Sequence, residues 1–331
     1  MKIRFGVFVP QGWRQDLEQL DDPVAQWEAM TAVARLADAG PWDSVWTFDH
    51  FHTVPETSRQ TTFEAWTVTA ALARDTRQVN LGQMVSCNGY RQPSLFAKIA
   101  STVDVASHGR LYAGLGAGWH EEEWRAYGYT WPDSVRERMG AFAEAVELVH
   151  RLWTEDDVVF TGRHYHVDRP VNEPKGATGK PRLWLGGGGE RVTLRLVARY
   201  ADGCNFGTGN PDAIRHKTTV LRKHCADVGR NPDEIARSTS FNMLPVAPGA
   251  DPEAATAKAR GHRTLDEFRA RGVGGNPPGT LLYIESSRDL VGRIEAAVDA
   301  GATYIIVYIP GVAVDPEPLL RFADEVIPAF S

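Results

Sequence analysis

The chain has 331 residues, 43% apolar and 24% charged, proportions that exclude a disordered chain, a coiled coil and a collagen-like fibre. With 36 Lys and Arg against 42 Asp and Glu, the net charge is −6; the absence of a basic block argues against nucleic-acid binding, which needs clustered cations to neutralise phosphates. No run reaches the about 18–20 apolar residues of a membrane span, the apolar run after Met1 is too short for a signal peptide, and Cys87, Cys204 and Cys225 are too few and too scattered for a disulfide framework, so a soluble cytoplasmic protein is expected.

Ile3–Val9 reads as a buried strand stopped by Pro10. The spacing of Val24, Trp27, Met30, Ala34 and Ala37 predicts a helix over Pro23–Ala39, closed by Gly40. Asp43–Phe48 follows as a strand, Phe63–Arg74 as a helix and Val79–Cys87 as a strand. Pro93–Ser107 is a helix with proline at its first position, and Arg110–Leu115 is the fourth strand. Ser134–Trp153 is a long amphipathic helix in which Ser134 and Glu137 have capping-box spacing. The alternation resumes with strand Arg182–Leu185, helix Glu190–Tyr200, strand Gly203–Phe206 and helix Pro211–Val228. Strand Ser238–Val246, helix Pro252–Arg271, helix Ser287–Ala300, strand Tyr304–Ile309 and helix Pro316–Ala329 complete the chain.

Strands alternating with helices point to parallel βαβ units. The strands number eight, which is the arithmetic of an α/β fold of the (β/α)8 TIM-barrel type. A single domain over residues 1–331 is expected, because such barrels exceed the usual domain length. Two segments fall outside the alternation: Asp156–Pro181, a small hairpin and polar loop, and the Gly/Pro-rich Gly272–Tyr283. Both have the length of insertions covering the C-terminal rim.

The residues that follow each strand are the candidates for chemistry, since barrel sites form at the C-terminal strand ends. Gly186–Gly189, between a strand and a helix, can cradle a phosphate with backbone N–H groups or serve as a tight turn. No Gly-Lys-Ser/Thr follows, so it is not a Walker loop. Gly114-x-Gly116-x-Gly118 lacks the third glycine of the dinucleotide fingerprint and reads equally as a close-approach surface for a flat ring or as a tight rim. Asp49-His50-Phe51-His52 has three readings: a divalent-metal site through His50 and His52, a heterocycle-binding Asp49 with His50 moving a proton, or a structural histidine. The metal reading is weakened because His120 alone adds a ligand at the correct end. Trp13, Trp46 and Trp119 are placed at the catalytic end, unlike the other tryptophans.

Trp46-Thr47-Phe48-Asp49-His50-Phe51, Gly109–Leu111 leading to Gly114–Trp119 with Glu123 and Tyr127-Gly128, and Pro181–Arg191 with Ala201–Asn205 together resemble the luciferase-like flavin and deazaflavin oxidoreductases. The resemblance covers nearly the whole chain, and Asp49-His50 looks like the branch that uses coenzyme F420. It implies hydride transfer at the deazaflavin C5, with Asp49 binding the coenzyme and His50 as proton donor or acceptor, assisted by Glu122 or Glu123. It further implies that Ser86, Cys87, Ala117 and Gly118 line the ring, that Gly187, Gly188 and Gly189 with Glu190 and Arg191 hold the phosphate, and that a non-prolyl cis peptide lies within Gln83–Cys87. The sugar-phosphate dehydrogenases of the family carry Glu where this chain has Trp119, and Trp where it has Val54. These departures argue against glucose 6-phosphate and, with Trp13, for a more apolar substrate pocket. The rival readings are an FMN-dependent luciferase-like monooxygenase, a metal-dependent TIM-barrel hydrolase and a non-catalytic flavin-binding protein. A small-molecule substrate is the expected partner, with no metal, nucleic acid or membrane. The substrate, the direction of transfer and the choice between monomer and homodimer stay open.

Overall fold

The computed structural model describes residues 2–271 and 282–331, so most of the Gly272–Tyr283 insertion lies outside the described residues. The strands described are β1 (Arg4–Phe8), β2 (Ser44–Thr47), β3 (Asn80–Gln83), β4 (Ser86–Cys87), β5 (Leu111–Gly116) and β6 (Val159–Thr161), followed by β7 (His166–Asp168), β8 (Arg182–Gly186), β9 (Gly203–Thr208), β10 (Ala236–Val246), β11 (Leu282–Ser286) and β12 (Tyr304–Tyr308). The order β1-β2-β3-β5-β8-β9-β10-β12 is parallel throughout and closes when β12 pairs with β1, from Arg4↔Tyr304 to Val7↔Val307. This is the expected (β/α)8 barrel, built from all eight expected strands.

The apolar, β-branched runs that marked these strands reflect burial on both faces, helices outside and side chains within. The interior is filled by Trp46, Tyr112, Trp184 and Tyr304. Small residues opposite make room for them: a Cβ at Gly6 or Gly82 would collide with the Trp46 ring, and one at Gly203 with Trp184. Trp46 therefore plugs the barrel rather than standing at its catalytic end, a correction to the sequence reading. Beneath the plug, Asp43 Oδ2 accepts from the hydroxyls of Tyr304 at 2.5 Å and Tyr112 at 3.1 Å.

Three departures position the site. The predicted third strand is interrupted by a cis Met84–Val85 peptide, after which β4 pairs with β5. The helix expected from Glu190 begins at Thr193, leaving the glycine run and the three residues after it as loop. The helix expected over Pro252–Arg271 divides into Pro252–Arg260 and Leu265–Arg271 at Gly261, whose φ of +60° no regular helix accommodates. β11 was not expected. It pairs with the upper half of β10, from Asn242↔Leu282 to Val246↔Ser286, while the lower half holds β12 up to Asn242↔Tyr308. The predicted hairpin is present as β6 and β7, with Phe160 packed into the helical layer. No helix among the described residues is long and apolar enough to cross a membrane.

Candidate active site at the C-terminal rim

A cavity of about 790 Å³ opens at the C-terminal ends of the strands. One end is walled by Phe8, Trp13, Phe48, His50 and Met84, and the other by Gly187–Gly189 and Lys217.

His50 leaves the end of β2 and lies face to face with the Trp13 indole, centroids 4.3 Å apart and planes 6° apart. Its Nδ1 is 2.9 Å from Glu123 Oε2. Glu123 comes from a short helix, Glu121–Ala126, that the sequence reading missed. The fully buried carboxylate also accepts the backbone N–H groups of Phe51 at 2.6 Å and His52 at 2.8 Å, and the Tyr90 hydroxyl. Burial pushes the carboxyl up, but hydrogen bonding and charge from His50, then the other donors, outweigh it and bring the pKa down to about 2. Glu123 is therefore an anion at neutral pH. An anionic acceptor at Nδ1 selects the tautomer with its proton there, leaving Nε2 as the proton-exchanging nitrogen. Nε2 has no hydrogen-bond partner among the described residues. Burial, then hydrogen bonding to Glu123, raises the Tyr90 pKa, so its phenol stays a donor.

A carboxylate whose folded pKa is depressed stabilises the fold above its ordinary value of 4.5, and that stabilisation is lost as the pH falls through about 2. Glu123→Gln is expected to cost on the order of 3 kcal/mol at pH 7 and much less at pH 3. Urea unfolding of both proteins at the two pH values measures it, and equal stabilities at pH 7 would contradict it.

The two candidate glutamates separate. Glu122 is exposed and accepts from Thr57 Oγ1 at 3.3 Å, so the structure takes it out of the site. Asp49 lies beside His50 at the end of β2. Its carboxylate is buried, with Arg91 Nη1 at 2.6 Å and Cys87 N at 2.8 Å on Oδ2 and Arg91 Nη2 at 3.0 Å on Oδ1. Asp49 thus lines the cavity while its carboxylate clamps β4 and Arg91. Val54 is buried in the interior aromatic cluster and is not among the residues lining the cavity, so it does not form the substrate pocket. Trp119 stands at the rim, half exposed and edge-on to His50 at 5.5 Å.

Ser86, Cys87, Ala117 and Gly118, the residues expected along a ring, all line the cavity. Ser86 accepts Trp66 Nε1 at 3.0 Å, which turns its hydroxyl outward and leaves backbone toward the cavity. Cys87 is a neutral thiol, pushed up to about 12 by burial and then by Asp49. Ala117 and Gly118 complete the wall, and Gly118, at φ +78°, has no room for a side chain beside Cys87 and Trp124. Gly114, Gly116 and Gly186 instead admit the β3–β4 junction, since a Cβ on each would strike Gln83 or Val85.

At the far end Gly187 takes φ +111°, and a Cβ on Gly188 would stand 3.3 Å from Lys217 Cε. Open backbone beside a lysine fits an anionic phosphate. Glu190 does not reach into this cradle as a ligand, because its carboxylate holds Lys217 at 2.5 Å and His216 at 2.9 Å. Arg191 lines the mouth and is exposed. Tyr90 and Arg91 lie beyond the strand end, in and just after the single turn Asn88–Tyr90, where no local pattern marks them. Lys217 lies midway along helix Pro211–Asp227, where nothing local marks it.

Donor atoms of His50, His120 and Glu123 fall within 4.8 Å of one another. The set does not suit a cation, because the Glu123 oxygens already accept from His50, two backbone amides and a phenol.

A family profile described as luciferase-like monooxygenase matches residues 3–299. The F420-dependent glucose-6-phosphate dehydrogenase of Amycolatopsis mediterranei is 26% identical over 317 residues, covering 86% of this chain and 89% of that protein. A monooxygenase from Streptomyces bottropensis superposes with a TM-score of 0.80 at 20% identity, covering 99% of this chain and 100% of that one. An F420-dependent secondary alcohol dehydrogenase, solved with an F420–acetone adduct, superposes with a TM-score of 0.77 at 19% identity over 100% of both chains.

Proposed function

The chain belongs to the luciferase-like monooxygenase family, and from that premise we propose that it is a coenzyme F420-dependent oxidoreductase acting on a small, largely apolar organic substrate. The observation that carries the reading is His50, held at Nδ1 by an anionic Glu123 and stacked on Trp13, at the wall of a cavity whose other end is a glycine cradle with a lysine. The F420-dependent relative supports the choice of coenzyme.

When bound, F420 supplies a carbon, C5, that gives or takes a hydride. The protein's share is binding, orientation and one proton. Gly187–Gly189 and Lys217 would hold the phosphate, and the backbone around Met84–Cys87 with Ala117 and Gly118 would lie along the ring. In oxidation of an alcohol, neutral His50 accepts the hydroxyl proton at Nε2 as hydride leaves the carbon. In the reverse direction protonated His50 returns it to the carbonyl oxygen. Glu123 keeps Nδ1 protonated throughout and stabilises the imidazolium. Trp13 and Trp119 exclude water from the reacting carbon. The resemblance implies a carboxylate at this position in sugar-phosphate dehydrogenases, and the indole of Trp119 in its place supports a substrate other than a sugar phosphate.

Titration of the protein with F420 and with FMN, alongside a zinc assay, tests the reading. F420 binding without FMN or zinc is expected. FMN binding alone would place the chain among the monooxygenases, and stoichiometric zinc would return the hydrolase reading. Gly188→Asp is expected to weaken F420 binding by about tenfold or more, because its carboxylate would compete for Lys217 and repel the phosphate. The melting temperature should stay close to that of the parent. Unchanged affinity would reduce the glycine run to a turn.

A further inference from the structure

Among the described residues, the arginine and lysine side chains that line the cavity are Arg14, Arg138, Arg191 and Lys217. Lys217 is paired with Glu190 at 2.5 Å, and Arg14 is drawn to Asp16 and bonded to Asn242. Arg138 and Arg191 differ: neither side chain has an ion pair or a hydrogen bond among the described residues. The carboxylates that line the cavity are already occupied, Asp49 by Arg91 and Glu190 by Lys217.

Arg138 is held in place without spending its donors. It stands near the start of helix Val135–Thr154, where a cation opposes the helix dipole, so the helix gains nothing from its charge. Its guanidinium carbon lies 4.7 Å from the Trp131 ring centroid. Trp131 packs edge-on against Trp124, centroids 5.1 Å apart, and Trp124 stands 2.8 Å from where a Cβ on Gly118 would be. The stack therefore ties Arg138 to the ring wall. A cation–π contact uses the face of the guanidinium and leaves its N–H groups unbonded, and Nε is buried without a hydrogen-bond partner. Glu137, its neighbour in the chain, turns instead to Arg163 at 2.7 Å and His164 at 3.8 Å. Arg191 is exposed, two residues beyond the last glycine of the cradle. Two planar forks with unspent donors, one against the ring wall and one after the cradle, match carboxylates.

Resting on the F420-dependent reading, we propose that Arg138 and Arg191 bind the acidic arm of the coenzyme. The F420 phosphate is a diester whose far arm ends in carboxylates, whereas FMN stops at its phosphate. The cradle then holds the phosphate, and the two arginines form a separate subsite for the carboxylates beyond it. Neither arginine takes part in the proton or hydride transfer.

Calorimetric titration at low ionic strength with F420, and with F420 whose carboxylates are converted to methyl esters, tests this. The two forms share the ring and the phosphodiester and differ in the charge of the arm. The parent protein is expected to bind the acid about tenfold more tightly than the ester. Arg138→Gln should lower that ratio about threefold, and the Arg138→Gln/Arg191→Gln double variant should bring it close to one, with ester affinity at the parent value. Equal binding of acid and ester by the parent overturns the proposal and leaves the F420 reading in place. So does a ratio that survives in the double variant, or a loss of ester affinity as large as that of the acid, which would make the arginines supports of the wall or ligands of the phosphate. The acid–ester comparison on the parent decides the matter even if a variant does not fold. Failure of the F420 reading shows differently, as absent binding of both forms, and would overturn this proposal with it.

Discussion

His50→Asn is expected to lower turnover by about 10²–10⁴-fold, the range for loss of a single general acid–base, with F420 affinity nearly unchanged. Asparagine is the informative replacement because its amide can still donate toward Glu123, whose Oε2 lies 2.9 Å from Nδ1 in the parent, whereas nothing replaces Nε2. The cradle is at the other end of the cavity, so coenzyme binding is separated from the lost proton transfer. Single-turnover hydride transfer, followed by deazaflavin absorbance, measures the effect. A variant that turns over at the parent rate would remove His50 from the mechanism. Glu123→Gln extends the test: losing the anion at Nδ1 should shift the pH profile of turnover, whereas a purely structural glutamate would lower stability and leave the profile in place.

Arg91→Met is expected to destabilise the protein by about 3–5 kcal/mol, the cost of stripping one partner from a buried ion pair. Asp49 is fully buried and Arg91 nearly so, and the guanidinium bridges Asp49 at 2.6 Å and Glu64 at 2.5 Å. Without Arg91, the Asp49 carboxylate keeps only the Cys87 N–H as a donor among the described residues. The Asp49→Asn/Arg91→Met double variant should recover part of the loss, since the stranded charge is gone. Denaturant unfolding of the two single variants and the double variant reads out the coupling. If Asp49→Asn weakened F420 binding without loss of stability, the clamp would give way to the coenzyme-binding role the resemblance implied.

The barrel was legible because its signals are local. Ile3–Val9 and Tyr304–Ile309 are apolar and β-branched since both faces of a parallel strand are covered, and Ser134 with Glu137 marks a helix start within one turn. β11 was not legible, because Leu282–Ser286 is partly polar and follows a Gly/Pro-rich stretch, and its strand character comes from the free upper half of β10. Trp46 illustrates the same limit. Its place in the chain is compatible with the rim, and the glycines that receive its ring, Gly6 and Gly82, lie on the two neighbouring strands.

Sequence alone determined the strands, their number and thus the barrel, together with His50 at a strand end and the glycine run before a helix. Each of these depends on residues within a few positions of one another. Tertiary structure decided the partners: Glu123 for His50 across 73 positions, Arg91 for Asp49 across 42, and Asn242 for Arg14 across 228. It also decided between Glu122 and Glu123, which composition and spacing could not distinguish. The two are consecutive on the helix Glu121–Ala126, so they point about 100° apart. How that helix docks against the β2 loop turns Glu123 toward the amides of Phe51 and His52 and leaves Glu122 in solvent, and a docking angle is a property of packed elements that no local pattern of residues encodes.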